Sequence, residues 1–335
     1  MSPLRLAAAF VSVMAFAFGS QAMAQDYSKS PEMTIKLGHM SPGTEENPYH
    51  LLALYLEKHL PEKTGGKLKV QVFHSGQLGR DRELMEAIQF GTLDLAVITT
   101  SPMTNFVPAF TVLDYPFIFQ DWDHVEKCVA APWMAEFKAE SQKAKFHTLA
   151  FVPRGFRSVT NSKVKIYKPE DMKGLKLRVI ESPIFVDTFN ALGAAAQAMS
   201  WGEVFTALQQ GTIDGHENAL NTIYDERVYE VQKYVSLTQH IFAYAAFVAS
   251  PPLFDKLPKE YQELIQKTAD EGLAEITKVQ RADELSYIKK LEEKGMEVNA
   301  VDSPEPFKAK MGPVYDKYNK NPAIKKYYDL ITQTK

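Results

Sequence analysis

The sequence predicts an α/β protein with two similar lobes, a ligand cleft between them and one long helix that braces both. Short segments with period-two apolar alternation are separated by longer segments with helical spacing, which is typical of α/β proteins. One strand–helix–strand pattern occurs twice in the chain. The chain is also longer than the size at which one hydrophobic core usually divides into two.

The repeated pattern covers residues 83–94 and 203–214, which read ELMEAIQFGTLD and EVFTALQQGTID. Glu, Ala, Gln, Gly, Thr and Asp are identical at matching positions, and upstream KLKV at 67–70 resembles KLRV at 176–179. Each copy predicts a helix that ends at a glycine and is followed by a short strand. We therefore predict two lobes built from similar units.

The N-terminus has the three parts of a secretory signal. Arg5 supplies the positive charge, residues 6–19 are the apolar run, and Ala22-Met23-Ala24 is a small-residue cleavage motif. A membrane anchor is the alternative, but the apolar run is shorter than the ~20 residues that a span requires. We expect cleavage after Ala24, a mature chain of 311 of the 335 residues, and location in the periplasm.

Charge and cysteine content narrow the classes of partner. Removal of Arg5 with the signal changes the formal net charge from −3 to −4. Mild acidity without basic runs argues against nucleic acid or an anionic membrane surface as a partner. Cys128 is the only cysteine, so the chain cannot form an internal disulfide, and its apolar neighbours predict a buried, unreactive thiol.

The elements of the first lobe follow from local patterns. A strand at 33–38 leads to a polar loop from His39 to Asn47, and a strand at 93–98 leads to Thr99. Ligands of open α/β sheets bind at the carboxyl ends of strands, so His39 and Thr99 are candidate ligand-binding residues. Capping of the next helix is an equally consistent role for Thr99. The other predicted elements are helices at 48–60 and from Asp81, a strand at 67–73, a buried connection at 106–119, and helices at 121–130 and 132–143.

The second lobe is predicted to begin where a strand at 146–152 ends in residues 153–157. The long helical pattern at 258–294 exceeds the length of a single lobe, because a helix rises ~1.5 Å per residue. We assign residues 31–153 and 243–282 to lobe I, and residues 154–242 and 283–335 to lobe II. The predicted elements are strands at 175–179, 212–214, 241–249 and 296–298, helices at 182–192, 201–210, 258–294 and after residue 298, and an extended segment at 194–199.

Catalytic and metal-binding motifs are missing from the sequence. The eight histidines include no pair spaced by four, and there is no GxSxG, P-loop or GxGxxG pattern. Asp81 and Glu83 form a carboxylate pair, but the start of a helix explains both. We therefore predict a protein that is not an enzyme, has no cofactor and has no recognisable metal-binding residues, although fold class alone does not exclude an unrecognised enzyme.

Arg157 and Arg178 are the sharper functional signal, because each follows a strand of the second lobe close to the predicted cleft. A guanidinium group binds a carboxylate through two parallel hydrogen bonds and is always charged. A surface salt bridge is the alternative role for either arginine. Asn218 is a candidate for polar ligand contacts or a helix cap, and Trp201 for a ligand wall or a core position.

These motifs, in this order, resemble the DctP-type solute-binding proteins, which serve tripartite ATP-independent periplasmic (TRAP) transporters. The segments that carry the resemblance are the signal, residues 77–79, residues 87–94, residues 171–179 and residues 203–218. The resemblance covers essentially the whole mature chain. It implies a two-lobed binding protein that closes on a small organic acid and delivers it to a permease with small and large subunits, driven by an ion gradient.

The resemblance also implies residue roles. Arg178 matches the arginine that pairs with the ligand carboxylate, and Arg157 matches a second family arginine. Asn218 matches the asparagine of the family DGxEN motif, and Trp201 an aromatic residue that covers the ligand in some members. Glu181, just beyond Arg178, is a candidate acceptor for ligand hydroxyl groups or a helix cap.

The ligand class remains open between a C4-dicarboxylate and a sugar acid such as a uronate. Sialic acid is disfavoured, because Thr99-Thr100 and His39-Met40 replace the residues of members that bind it. A binding protein for an ATP-driven importer or a sensor kinase is the alternative function. The sequence does not determine the acid, the involvement of a metal ion or the oligomeric state.

Overall fold

The computed structural model describes residues 25–335, so the predicted secretory signal at residues 1–24 lies outside the described residues. Within that range, no helix combines the length and the hydropathy that a membrane span requires. The strands are β1 (Met33–His39), β2 (Leu68–Phe73), β3 (Leu95–Thr99), β4 (His147–Asn161), β5 (Lys176–Val179), β6 (Ala195–Ala198), β7 (Gly215–Ala219), β8 (Tyr234–Leu237), β9 (Phe242–Ala249) and β10 (Glu297–Ala300).

Helices surround the strands throughout the described chain. Short 3-10 helices cover Pro108–Asp114, Glu140–Ala144, Pro169–Met172 and Val228–Glu230. The α-helices are α1 (Pro48–Thr64), α2 (Asp81–Phe90), α3 (Thr100–Met103), α4 (Trp122–Ala130), α5 (Met134–Ala139), α6 (Pro183–Ala191), α7 (Trp201–Gln209), α8 (Leu220–Asp225), α9 (Pro251–Phe254), α10 (Lys259–Asp283), α11 (Ser286–Glu293), α12 (Glu305–Lys308), α13 (Gly312–Tyr318) and α14 (Pro322–Gln333).

Strand β4 connects the two halves of the sheet, whose order is β2-β1-β3-β9-β4-β7-β5-β6. The first part of β4 pairs antiparallel with β9 as far as Phe156, and its last part pairs antiparallel with β7 from Arg157 onward. We use lobe I for β1–β3, β9 and the first part of β4, and lobe II for the rest of β4, β5–β8 and β10. The chain therefore changes lobes between Phe156 and Arg157.

The predicted internal similarity is confirmed by the topology. Lobe I contains β1-α1-β2-α2-β3 with parallel strands in the order β2-β1-β3, and lobe II contains β5-α6-β6-α7-β7 in the order β6-β5-β7. The repeated helices α2 and α7 occupy equivalent places. The match of KLKV to KLRV is wrong, because residues 67–70 enter the edge strand β2 whereas residues 176–179 form the central strand β5.

An aspartate closes each repeated unit in the same way. The Asp94 carboxylate accepts a hydrogen bond from the Lys36 backbone N–H in β1, at 2.8 Å. The Asp214 carboxylate accepts one from the Lys176 backbone N–H in β5, at 2.9 Å. Each aspartate thus ties the turn after its helix to the central strand of its own lobe.

The strand predicted at residues 212–214 lies instead at Gly215–Ala219, so residues 216–218 form β7 rather than follow it. Residues 212–214 form the turn that Asp214 closes. Gly215 permits the close approach of β7 to β4, because a Cβ atom there would overlap the Thr160 carbonyl oxygen. Tertiary packing sets this boundary, and propensity alone did not indicate it.

The helix predicted at 258–294 is also corrected, since α10 ends at Asp283 and α11 begins at Ser286. The break contains Glu284, whose carboxylate accepts hydrogen bonds from Trp122 Nε1 at 2.6 Å and from the Phe156 N–H at 2.7 Å. Those partners are remote in sequence, and no glycine or proline marks the break. Near its end, α10 contacts lobe II through Gln280, which accepts a bond from Asn221.

Two further features bear on the predicted organisation. Cys128 is buried, as predicted, and burial raises the pKa of its thiol to about 11.

Helix α14 packs against the first half of the chain, with the centres of the Tyr327 and Phe137 rings 4.6 Å apart. The assignment of residues 283–335 to lobe II stays a prediction.

We predict that Asp94→Ala and Asp214→Ala each lower the free energy of unfolding by about 1 to 2 kcal/mol, because each leaves a strand N–H without its acceptor. Chemical denaturation monitored by circular dichroism measures this change. Asp316→Ala is the matched control, since Asp316 is exposed on α13 and should change stability by less than about 0.5 kcal/mol. Equal effects of all three variants would contradict a special role for the two aspartates.

Candidate ligand-binding cleft

A cavity of about 250 Å³ lies between the lobes, where β1, β3, β5 and β6 end. This is the edge of the sheet at which open α/β folds bind ligands. The residues that line it are Met40, Ser41, Tyr49, Arg80, Asp81, Arg82, Glu83, Thr99, Pro102, Arg154, Arg157, Arg178, Ile180, Glu181, Ser200, Trp201, Asn218, Thr222 and Glu226.

Six of the seven residues predicted to bind ligand line this cavity, and His39 does not. His39 is the last residue of β1, and its ring is buried with Nε2 at 3.1 Å from His50 Nδ1. Burial, together with the neighbouring His50 and His74 rings, lowers the pKa of His39 to about 3. The loop prediction placed His39 at the cleft, but the strand continues through it and directs the ring into the lobe.

Arg178 is a buried cation held in place by a backbone carbonyl. Its Nε and Nη2 donate to the Met199 carbonyl at 2.8 and 2.6 Å, and its guanidinium lies 5.4 Å from the centre of the Trp201 ring. Within residues 25–335, no carboxylate lies within 4.0 Å of its nitrogens. Burial lowers the pKa of Arg178 to about 10, so the group stays charged at neutral pH. Since Nε and Nη2 donate to the Met199 carbonyl, and Nη1 makes no hydrogen bond within residues 25–335, the Nη1 hydrogens remain available to a ligand.

Arg157, by contrast, is occupied by the protein itself. Its Nε and Nη2 donate to the two Glu217 carboxylate oxygens at 2.5 and 2.7 Å, and Nη1 donates to Asn218 Oδ1 at 2.9 Å. Burial alone would raise the pKa of Glu217, but the Arg157 charge and the adjacent His240 lower it to about 2. With Nη2 also donating to the Glu217 carbonyl, one Nη1 hydrogen is left for a ligand.

Arg154, which was not predicted as a site residue, lines the cavity and is 8% exposed. Its Nη2 donates to Asn218 Oδ1 at 3.3 Å and to Thr222 Oγ1 at 3.2 Å, and its guanidinium lies 5.2 Å from the centre of the Tyr49 ring. A spacing of three normally places Arg154 and Arg157 on opposite faces of a strand. A register shift in β4 between Pro153 and Gly155 brings both to the cavity.

Two carboxylates on the cavity wall were also missed. Asp81 is the first residue of α2 and accepts a hydrogen bond from the Thr99 N–H at 3.2 Å, and burial raises its pKa to about 6. Glu226 accepts a bond from Trp201 Nε1 at 3.2 Å, and burial raises its pKa as well. Sequence alone explained Asp81 as the start of a helix, and Glu226 belonged to no motif.

The other predicted residues have mixed surroundings. The Thr99 hydroxyl lies 3.0 Å from the Tyr49 hydroxyl, so it already has a partner inside lobe I. Glu181 is exposed, and its backbone carbonyl accepts a bond from Asn105 Nδ2 across the cleft at 3.1 Å. In the described part of the chain, no three His, Cys, Asp or Glu side chains are grouped as a metal site.

The cavity therefore contains buried guanidinium groups that form no ion pair with a carboxylate among residues 25–335. Carboxylates and an amide line other parts of the same cavity. Arg178 and Arg154 carry these free N–H groups, and Asp81 and Glu226 carry the acceptors. A buried cation is costly unless a counter-charge pairs with it. The arrangement suits an anionic molecule that also carries hydroxyl groups.

Comparisons with known proteins agree with this geometry. The profile of the bacterial extracellular solute-binding proteins, family 7 (DctP), matches residues 38–321. A solute-binding protein of Verminephrobacter eiseniae is 36% identical over 282 residues, with 83% of each chain covered. The 2,3-diketo-L-gulonate-binding periplasmic protein of Escherichia coli is 30% identical over 265 residues, which cover 79% of this chain and 80% of that protein.

Solved structures of TRAP periplasmic solute-binding proteins have the same two-lobed fold. One from Polaromonas, bound to D-erythronate, has a TM-score of 0.86 and 32% identity, with 91% of this chain and 99% of that chain covered. One from Bradyrhizobium, in complex with D-galacturonate, has a TM-score of 0.86 and 31% identity, with 90% and 100% covered. The predicted fold class and the resemblance to DctP-type proteins are thereby confirmed.

We predict that Glu217→Gln lowers the free energy of unfolding by about 3 to 5 kcal/mol, because Arg157 stays buried without a counter-charge. Denaturant titration at pH 7 measures the loss. Glu230→Gln is the control, since Glu230 pairs with Arg227 at the surface, where a pair contributes at most about 1 kcal/mol.

The same variant should alter the acid limb of the stability profile. The folded pKa of Glu217 is about 2 and its ordinary value is 4.5. A carboxyl with a lowered pKa contributes stability that is present above the ordinary pKa and is lost as pH falls through the folded pKa. The wild type should therefore lose stability between pH 4.5 and 2 more steeply than Glu217→Gln, and parallel curves would contradict this.

Proposed function

The chain belongs to the DctP family of bacterial extracellular solute-binding proteins, and we propose that it captures a hydroxylated monocarboxylic acid, such as an aldonate or uronate, in the periplasm for delivery to a TRAP permease. The single observation that carries this proposal is Arg178. It is a charged guanidinium, 3% exposed, fixed at the cavity wall without a carboxylate partner among the described residues.

The ligand carboxylate is proposed to bind at Arg178. The Met199 carbonyl fixes the guanidinium before the ligand arrives, which removes part of the ordering cost of binding. Trp201 packs against the same guanidinium and supplies an apolar wall. The remaining N–H of Arg157 and the amide of Asn218, which also line the cavity, are proposed as second partners.

The ligand hydroxyl groups are proposed to bind the carboxylates on the cavity wall. Asp81 and Glu226 accept hydrogen bonds and repel a second ligand carboxylate. The charge of Arg157 is balanced by Glu217 and that of Arg82 by Glu86, so three cationic and four acidic side chains of the cavity remain. Those are Arg80, Arg154 and Arg178, with Asp81, Glu83, Glu181 and Glu226.

This balance favours one ligand carboxylate over two, and therefore a sugar acid over a C4-dicarboxylate. Neighbours in complex with erythronate, galacturonate, glucuronate and galactonate support this class. Delivery to a TRAP permease is proposed because several of those neighbours are TRAP periplasmic solute-binding proteins. Export through the N-terminal signal is proposed from the sequence.

Ligand capture is proposed to involve closure of the lobes about β4. The lobes already touch on two sides of the cavity, where Asn105 Nδ2 donates to the Glu181 carbonyl at 3.1 Å and Asn47 Nδ2 donates to Asp225 at 3.4 Å. A ligand that contacts both lobes stabilises the closed form by its differential affinity.

The proposed function is tested by thermal unfolding of mature protein that has been unfolded and refolded to remove co-purified ligand. The panel contains D-erythronate, D-galacturonate, D-galactonate, succinate, pyruvate and benzoate. A ligand at 100 times its Kd adds ~2.7 kcal/mol of stability. A raised midpoint with the hydroxylated monocarboxylates supports the proposal, and no shift with folded protein contradicts it.

We predict that Arg178→Ala weakens binding of the best acid of that panel by ~2–5 kcal/mol, because the carboxylate is desolvated without its partner. Isothermal titration calorimetry measures the affinity. Arg82→Ala is the charge-matched control, since Arg82 lines the same cavity but its side chain is 81% exposed. An Arg178→Ala variant that binds within tenfold of the wild type would remove Arg178 from the site.

We predict that Asp81→Asn changes the affinities for D-galacturonate and for succinate in opposite directions. Loss of the acceptor charge should lower affinity for D-galacturonate about tenfold, whereas removal of a negative charge should raise affinity for succinate. The amide oxygen retains an acceptor for the Thr99 N–H, so the fold is expected to persist. Competition titrations measure both affinities, and a change of the same sign for both acids would contradict the hydroxyl-binding role.

A further inference from the structure

Arg80 separates the binding cavity from a second cavity of about 360 Å³. The second cavity is lined by Pro42, Gly202, Phe205 and Val228, among others. Both cavities share four lining residues, which are Met40, Arg80, Trp201 and Glu226. Arg80 thus stands at the boundary through which the two spaces would join.

The Arg80 side chain crosses from lobe I to lobe II. Arg80 precedes α2 in lobe I. Its backbone N–H donates to the Glu83 carboxylate at 2.9 Å, which fixes the Arg80 backbone at the start of the helix. Its guanidinium packs on the backbone of Gly202 in the first turn of α7. A Cβ atom at position 202 would overlap Cζ, Nη2 and Nε of Arg80.

Arg80 differs in burial from Arg154, Arg157 and Arg178. Arg80 is exposed, and in the chain from residue 25 onward no carboxylate lies within 4.0 Å of its nitrogens. It also lies at the N-terminal end of α7, where the partial positive charge of the helix disfavours a cation. Packing on Gly202 holds the contact in the ligand-free protein, and an anion in the adjacent cavity would offset the repulsion and strengthen the contact.

We propose that Arg80 is a latch across the cleft, that it closes onto Gly202 because this residue has no side chain, and that it slows release of the bound acid. The proposal rests on the proposed function for its ligand. Arg80 is a positioning residue for closure. Of the two cavities Gly202 lines only the second, so a substitution there acts on the ligand through Arg80 or through its neighbour Trp201, and the double variant distinguishes the two routes.

A double-mutant cycle tests the latch with D-galacturonate as the probe. Stopped-flow measurement of tryptophan fluorescence gives association and dissociation rates for wild type, Arg80→Ala, Gly202→Ala and the double variant. Each single variant should raise the dissociation rate about tenfold, and the double variant should match the singles because both remove one contact. Gly312→Ala is the control, since a Cβ there meets nothing within 4 Å.

A second readout does not require a ligand. Dyes on Lys69→Cys and Lys173→Cys, at exposed positions of lobes I and II, report the distance between lobes by energy transfer. Arg80→Ala and Gly202→Ala should both shift the ligand-free protein toward a longer distance. Unchanged distances, or multiplicative effects on dissociation in the double variant, would overturn the latch. Failure of every acid to bind would overturn the proposed function, while the distance measurement still decides on the latch.

Discussion

The buried pair of Arg157 and Glu217 is the constraint on which the rest of the site depends. It lies where β4 leaves lobe I and pairs with β7 in lobe II, and both side chains are 1% exposed or less. A buried ion pair is tolerated only when nearly all of its hydrogen-bonding groups have partners, and Glu217 also meets His240 Nε2 at 3.0 Å. Among the described residues, the pair therefore fixes β4 at the point where this strand passes from one lobe to the other.

Because Arg157 is paired with Glu217, the arginines of the cavity differ in whether their charge is balanced by the protein. Arg157 donates two hydrogen bonds to the Glu217 carboxylate. It also donates to the amide oxygen of Asn218, which accepts a further hydrogen bond from Arg154. Arg178 donates to the Met199 carbonyl, which fixes the orientation of the guanidinium but does not balance its charge. Uncompensated buried charge destabilises the empty protein, and such departures from internal consistency are expected at functional sites. An anionic ligand would provide the missing partner.

Local patterns predicted the repeated units, because Gly91, Asp94 and their counterparts Gly211 and Asp214 act within their own segments. They also predicted Arg178, because a strand end can be located from period-two alternation. Arg154 was missed because a register shift in β4, invisible to a period of two, turns it to the cavity. The break at Glu284 and the start of β7 at Gly215 depend on partners more than 50 residues away in sequence, and no local propensity records such contacts.

The repeat also explains why an anion would bind on one side of the cavity. The alignment of residues 83–94 with 203–214 places Asp81 opposite Trp201, and these are the first residues of α2 and α7. Both line the cavity, so the positive ends of two equivalent helices face the same space. In lobe I the Asp81 carboxylate offsets that charge, whereas in lobe II an uncharged aromatic ring stands at the matching position beside Arg178. Two copies of one unit thus place a carboxylate at one helix end and an aromatic ring beside an arginine at the other, and a ligand that carries both a carboxylate and hydroxyl groups would find a partner at each.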